Sequence, residues 1–451
     1  MRTLDLAIIS ESNVFRQRAQ LVGSLFTFEC ITFPSDEAFF MESNLFKNVS
    51  CILFDFCKPH DIKDITGTLH VARQVSPSSY ILVVCNKMST EEMDMAISAG
   101  ASRIITQQEY YDSSKPEFVL SQVIKSVFVP VKTMDLVEGT ALTFPLYHFM
   151  PLNRRFLKVF NTNSTLTKDF LTKFSNAGDL YVQRESLDLW QEYTSGYVAK
   201  DSAEALQKSR QKFRQLNESF LSLALLVSDR STPATFAKGK ELYSHCEKFS
   251  ADLLSSLLDL EDPWYIISSS AVGDYGSIER APAVAAYAGF MSATLKVGNP
   301  TEVMIGALLA DIGYLELSPS VAAKLRTNRT HEMNAEERME YHKHPIFSLN
   351  QCLARRLPLS NNIKEIILQS HERVDQKGFP RRPKADKLLE EAMLVRLCWE
   401  LDQQCQGRMG EKKPDIREIR RQFSRAAMNE VGNYNPRLIV KANSVLLPAV
   451  F

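Results

Sequence analysis

Apolar positions in the first quarter of the chain come in short runs of strand length. LDLAIIS (4–10), FECITF (28–33), CILFDF (51–56), YILVVC (80–85) and RIIT (103–106) each have the length of one buried strand, and helical stretches, including 13–26 and 89–99, lie between them. Strands alternating with helices predict a parallel, doubly wound α/β sheet over 1–128. Pro130 and Gly139 then mark a boundary. TALTFPLYHF, RRFLKVFN and DLYVQRE follow as short alternating runs, with a helix over 165–177, and predict a small β-rich module over 130–198.

From 201 the period changes to that of helices. Asp201 and Glu204 form a capping pair, and Leu206, Phe213, Leu216, Phe220 and Leu223 recur at roughly helical spacing; a second helix covers 235–260. These linker helices (201–264) either pack onto the next domain or mediate a homodimer. The remainder, 265–451, predicts an all-α bundle. Arg280 falls on the stripe Val284, Tyr287, Ala288, Met291 and Leu295; Asp311 lies with Met304, Leu308 and Leu315; Ser370 and His371 lie with Ile363, Ile366, Ile367 and Val374; Trp399 and Asp402 lie with Leu388, Ala392 and Val395. Polar groups on apolar faces are paired or bind metal, and a bundle that turns Asp and His inward is a common metal scaffold.

Composition narrows the function classes. Lys plus Arg equals Asp plus Glu at 53 each, so bulk nucleic acid and membrane surfaces are not expected partners. The eight cysteines form no CxxC pair and fit reduced thiols in the cytoplasm. MRTLDLAIISESN reads as a first strand rather than a signal peptide, and no apolar stretch is long enough for a membrane span. No P-loop, GxGxxG or zinc-ribbon spacing is present.

The segments CILFDFCKP and SAGASRIIT resemble response-regulator receiver domains, with Asp55 at the phosphoacceptor position and Pro59 after it. The departures are Ser10 and Glu11 for the family's acidic pair, Cys85 for a Ser or Thr, and Gln107 for a Lys. The resemblance therefore leaves two readings open: phosphorylation of Asp55, or a receiver fold kept for protein binding. The 130–198 segment loosely resembles the β module found ahead of HD-GYP domains.

Four further segments resemble the HD-GYP cyclic di-GMP phosphodiesterases: LLADIGY (308–314), YHKHP (341–345), SHERVDQKGFP (370–380) and NYNPRLIVKA (433–442). The resemblance places Arg280 at the first His position, Ala310 at the His of the His-Asp pair, Tyr314 at a Lys, Ser370 at the first of two His and Trp399 at a later Asp. Asp311, His344 and His371 remain as ligand positions, and Gly378, Phe379 and Pro380 stand for Gly-Tyr-Pro. The family's hydrolysis uses clustered metal ions. With so many ligands replaced, no metal and no cofactor is expected; the alternative is that two His and one carboxylate hold a single metal with open positions.

Arg280 cannot ligate a metal and is always charged. It is expected either to pair with Asp311 as the pocket's charge balance or to snorkel outward while Asp311 caps a nearby backbone. His331 and His342 read as surface histidines, and Glu372 with Arg373 as a local salt bridge. The basic run PRRPKADK (380–387) reads as a solvated loop or a phosphate contact.

The resemblance implies a non-catalytic signalling adaptor in cyclic di-GMP or two-component signalling. Its protein partner would be a diguanylate cyclase, a receptor or a motility component. The alternative is an effector that binds a cyclic dinucleotide without hydrolysing it.

Overall fold

The computed structural model describes residues 2–25, 28–58, 61–124, 128–131, 133–150, 155–175, 180–183, 186–196, 202–229, 236–271, 278–405, 415–429 and 432–447. Pro59 and Asp201 lie outside the described residues. The chain divides into two compact units: Met1–Lys168 with Asp179–Tyr193 and Asp229–Pro233, and Asp169–Gly178 with Thr194–Ser228 and Ala234–Phe451.

In the first unit the apolar runs become β1 (Arg2–Ile9), β2 (Cys30–Phe33), β3 (Phe46–Phe56), β4 (Tyr80–Cys85) and β5 (Arg103–Thr106). Between and after them lie α1 (Asn13–Leu25), α2 (Asp36–Glu42), α3 (Ile62–Val75), α4 (Thr90–Ser98), α5 (Gln107–Asp112) and α6 (Lys115–Ile124). The sheet is wholly parallel with order β2-β1-β3-β4-β5, in which Ile9 pairs with both Phe33 and Phe54. This is a doubly wound order whose switch point lies between β1 and β3. The segments Leu6–Ile9 of β1, Cys51–Phe54 of β3 and Ile81–Cys85 of β4 are continuously apolar and buried, as strands covered on both faces are. Ser35, Asp61, Ser89 and Thr106 cap α2, α3, α4 and α5 through their side chains.

The β-rich module contains β6 (Phe128–Val131), β7 (Ala141–Leu142), β8 (Leu146–Met150), β9 (Arg155–Phe160), β10 (Ser164–Thr165) and β11 (Leu180–Gln183), with α7 (Lys168–Ser175) and α8 (Leu187–Gly196) in the same stretch of chain. Its main sheet is antiparallel, β6-β11-β8-β9, and β10 pairs with β7. Phe144, Trp190 and Tyr193 pack ring against ring, and the Tyr193 hydroxyl accepts from Val137 N at 2.9 Å. Although the sequence separates 1–128 from 130–198, most of both stretches falls in one compact unit.

The second unit is helical. α9 (Ser202–Ser228) and α10 (Phe236–Leu258) pack against each other and against the bundle, so the linker helices are part of it. The bundle continues with α11 (Pro263–Ser270), α12 (Ala281–Leu295), α13 (Pro300–Ala310), α14 (Pro319–Arg326), α15 (Ala335–His342), α16 (His344–Ala354), α17 (Asn361–Gln369), α18 (Glu390–Cys405), α19 (Ile416–Asn429) and α20 (Pro436–Leu446). Pro263, Pro282, Pro300, Pro319, Pro345 and Pro436 sit in the first turn of α11, α12, α13, α14, α16 and α20. A missing N–H costs nothing there. α12 is buried almost all round, as its uniformly apolar sequence requires, and it packs against α13 and α18. Among the described residues no helix is long and apolar enough to cross a membrane.

Candidate functional site

Three turns at helix ends bring the polar residues of the bundle together. α13 stops at Ala310, and Asp311 occupies its C-cap before a 3-10 turn over Ile312–Glu316. α16 lies directly on that turn: Ser348 Oγ donates to Ala310 O at 2.5 Å and accepts from Gly313 N at 2.8 Å. A Cβ at Gly313 would collide with the carbonyl of His344. The glycine therefore sets the approach that carries His344, the first residue of α16, to Asp311. α17 ends at Gln369, with Ser370 as its C-cap. The expected helical stripe through Val374 is thus not formed, and His371 enters the site from a turn.

The result is a buried cluster. His371 Nε2 lies 3.2 Å and His344 Nε2 3.3 Å from Asp311 Oδ1, and one ligand atom from each of the three residues lies within 4.8 Å of the others. Asp311 Oδ2 accepts from Trp399 Nε1 at 3.0 Å, and the indole meets the His371 ring edge-on at 5.0 Å. His344 Nδ1 donates to Tyr341 O at 2.7 Å. A carbonyl cannot donate, so Nδ1 carries the proton and Nε2 presents its lone pair. That Nε2 is buried and makes no aligned hydrogen bond. Burial pushes the His344 imidazole down to about 4, against the opposing pull of Asp311, so it is neutral at pH 7. Burial alone would raise the Asp311 carboxyl, but the two imidazoles beside it, with His371 hydrogen-bonded to Oδ1, hold it well below the usual carboxylate range. A lone pair and a carboxylate oxygen face each other at 3.3 Å, an opposition that a cation held between them would relieve.

These three residues fit a divalent cation. The donor set is two imidazoles and one carboxylate, and the Nδ1 bond to a backbone carbonyl is the orienting contact usual for a metal-bound His. The expectation that no metal binds rested on the replaced positions, whereas the surviving ones converge. A cation held there would supply Lewis acidity toward a phosphate oxygen.

The other predicted positions do not extend the donor set. Arg280 is not paired with Asp311, which corrects the first sequence expectation. Its Nε and NH2 donate to Asp402 at 3.0 and 2.5 Å, with Asp402 fully buried. The outward-snorkelling alternative fails as well, because Arg280 is buried. Burial opposes the guanidinium charge, but Asp402 more than restores it, and Arg280 stays cationic. Periodicity had placed Asp402 on an apolar face. A buried acid there needed a cation, and that was the signal pointing to Arg280. Ala310 offers only its carbonyl, already bound by Ser348. Ser370 Oγ turns back to Ile367 O at 3.0 Å. The Tyr314 ring packs on His344 at 4.6 Å between centroids.

The loop after α17 covers the cluster. Gly378 lets it fold back on 371–373, where a Cβ would sit 2.6 Å from His371 O. Phe379 stacks on His371 at 5.0 Å and on His342 at 4.3 Å, and Pro380 follows a cis peptide. His342 is accordingly half-buried rather than a surface residue, while His331 is exposed. Glu372 does not pair with Arg373, which binds Asp375 at 2.7 Å. Instead Glu372 Oε1 accepts from the backbone N–H of Arg381 and Arg382 at 2.5 and 2.9 Å and pins the loop.

In the α/β unit Asp55 lies at the C-terminal end of β3, the ligand edge of such sheets. Its Oδ2 accepts from Ser10 Oγ at 2.5 Å and its Oδ1 from Cys57 N at 3.1 Å. Glu11 forms a surface ion pair with Lys58, Cys85 ends β4, and Gln107 begins α5 behind the Thr106 cap.

Residues 252–422 match the family model of the HD domain. No curated protein matches the chain. A solved structure, Bd1817, a HDG"Y"P protein from Bdellovibrio bacteriovorus, is similar at 15% identity with a TM-score of 0.43, over 71% of this chain and 99% of that one.

Proposed function

We propose that the helical unit is an HD-GYP-like signalling module that holds one divalent cation on Asp311, His344 and His371 and does not hydrolyse cyclic di-GMP. The observation that carries this is the Trp399 indole on Asp311 Oδ2. It occupies the second oxygen of the Asp311 carboxylate, and Trp399 stands at the position where the family resemblance puts a further acidic ligand. Arg280 adds a fixed positive charge, and its bidentate bond to Asp402 withdraws a nearby carboxylate from ligation. Clamping both the attacking and the leaving oxygen of a phosphodiester takes two metals. A single three-ligand site can bind a phosphate but lacks that clamp.

Such a module acts by binding. The α/β unit supports the same direction: both oxygens of Asp55 accept from neutral donors, and Glu11, the nearest replacement for an acidic pair, is engaged by Lys58. Phosphoryl transfer to Asp55 would lack one of the two metal-holding acids, where Ser10 stands, and the Lys that Gln107 replaces. The partner proposed is a signalling protein such as a diguanylate cyclase, a receptor or a motility component. The exposed cations of 381–387 favour a second function, retention of a cyclic dinucleotide without cleavage.

The test is turnover. The full chain, supplied with Mn²⁺ or Fe²⁺, is incubated with cyclic di-GMP and the products are separated by chromatography. No linear dinucleotide or GMP above the protein-free blank is expected. Steady product formation that disappears in Asp311→Asn overturns the proposal.

A further inference from the structure

A second recognition surface lies outside the cation cluster, between α15 and the loop that follows Phe379. Met333, Arg338, Met339, His342 and Arg382 wall a groove of about 420 Å³, within the roughly 300–1,000 Å³ range of small-molecule sites. No acid lines it. Arg338 reaches only the Met333 carbonyl at 3.4 Å, and Arg382 only the Gly378 carbonyl at 3.2 Å. Neither guanidinium has a carboxylate within ion-pair distance among the described residues, although acids are plentiful nearby. Those acids are committed elsewhere: Glu337 to Lys324, Glu340 to Ser318, Asp375 to Arg373 and Glu372 to the loop backbone. Two uncompensated guanidiniums on one groove create a local field that an anion would balance, in a chain with no net charge.

The rest of the wall is apolar and adaptable. Met333 is buried and Met339 is 58% exposed, and two thioethers suit a flat, polarisable group. His342 stacks on Phe379 and completes an aromatic flank. From this juxtaposition we infer that the groove binds an organic phosphate, its phosphoryl group between Arg338 and Arg382 and its planar part against Met333, Met339 and His342. Guanidiniums hold phosphate bidentately, which gives direction as well as charge. The site shares Arg382 with the basic loop of the second reading above, but it uses none of the cation-cluster residues and does not rest on the absence of hydrolysis.

Calorimetric titration of the full chain with GMP, guanosine and inorganic phosphate, each with and without EDTA, tests it. GMP is expected to bind better than either fragment and equally well in EDTA. The double variant Arg338→Gln/Arg382→Gln is expected to weaken GMP by about tenfold or more, from the loss of charge-assisted hydrogen bonds. Both arginines are on the surface, and an unchanged thermal transition checks that the variant folds. Absence of GMP binding at millimolar concentration overturns the proposal, as does binding that the double variant leaves intact. Phosphate binding as tightly as GMP removes the role of the methionine wall. Loss of binding in EDTA or in Asp311→Asn reassigns the ligand to the cation cluster.

Discussion

Asp311 has three close neighbours and one formal charge. Its Oδ1 faces two imidazole nitrogens, and its Oδ2 is held by an indole N–H. Neutral His344 has a definite pH consequence. The unfolded side chain takes up a proton near 6.5, the folded one only near 4. Between those values the unfolded state binds more protons, so stability is full above about pH 6.5 and falls as pH drops toward 4. The loss approaches about 3 kcal/mol, at about 1.4 kcal/mol per pKa unit. Urea melts in EDTA across that window are expected to show this slope in the native chain and a flatter one in His344→Asn. Arg280 gives a second residue-scale outcome. Arg280→Ala leaves Asp402 buried without the Arg280 charge and is expected to cost about 3–5 kcal/mol by denaturant unfolding. Arg280→Ala/Asp402→Leu together is expected to recover much of that, because a buried ion pair replaced by apolar groups is often near neutral. Periodicity identified Arg280 and two buried acids but could not tell which acid it meets. Asp311 and Asp402 are both on apolar faces, and only the end of α13 and the path of α18 decide the pairing.

Among the elements, the parts legible in the sequence were those with a single strong period. β1, β3 and β4 each contain a short, mostly apolar run, and α12 and α18 carry the stripes that predicted them. The less legible parts lie where elements stop. α17 ends at Gln369, so His371 arrives from a turn and Val374 leaves the stripe; β3 starts at Phe46, five residues before its apolar run. The role of Glu372 was hidden because its partners are backbone N–H groups nine and ten residues away, which no side-chain pattern records. Glu372→Ala is expected to release the 378–382 loop at a cost of about 1–2 kcal/mol, for two part-buried backbone donors that lose a charged acceptor. Amide exchange at Arg381 and Arg382 should accelerate strongly, with α12 protection unchanged. Unaltered exchange at those two amides would exclude a loop-pinning role.

At the scale of the whole molecule, the chain joins a parallel α/β sheet, a small antiparallel module and a helical unit containing the HD-domain match. The fold classes were readable because their patterns differ: apolar runs separated by helices, short alternating runs, and the 3.6-residue period of helices. The state of the cluster was less readable. Counting replaced positions predicted no metal, whereas the fold still brings the three remaining ligands within 4.8 Å of one another. Metal content therefore tests the central claim most directly. The full chain is loaded with Mn²⁺, freed of excess by gel filtration and measured by mass spectrometry of the metal against protein concentration. One ion per chain in the native protein and none in Asp311→Asn is the predicted result. Two ions per chain, or one that persists in Asp311→Asn, would contradict it.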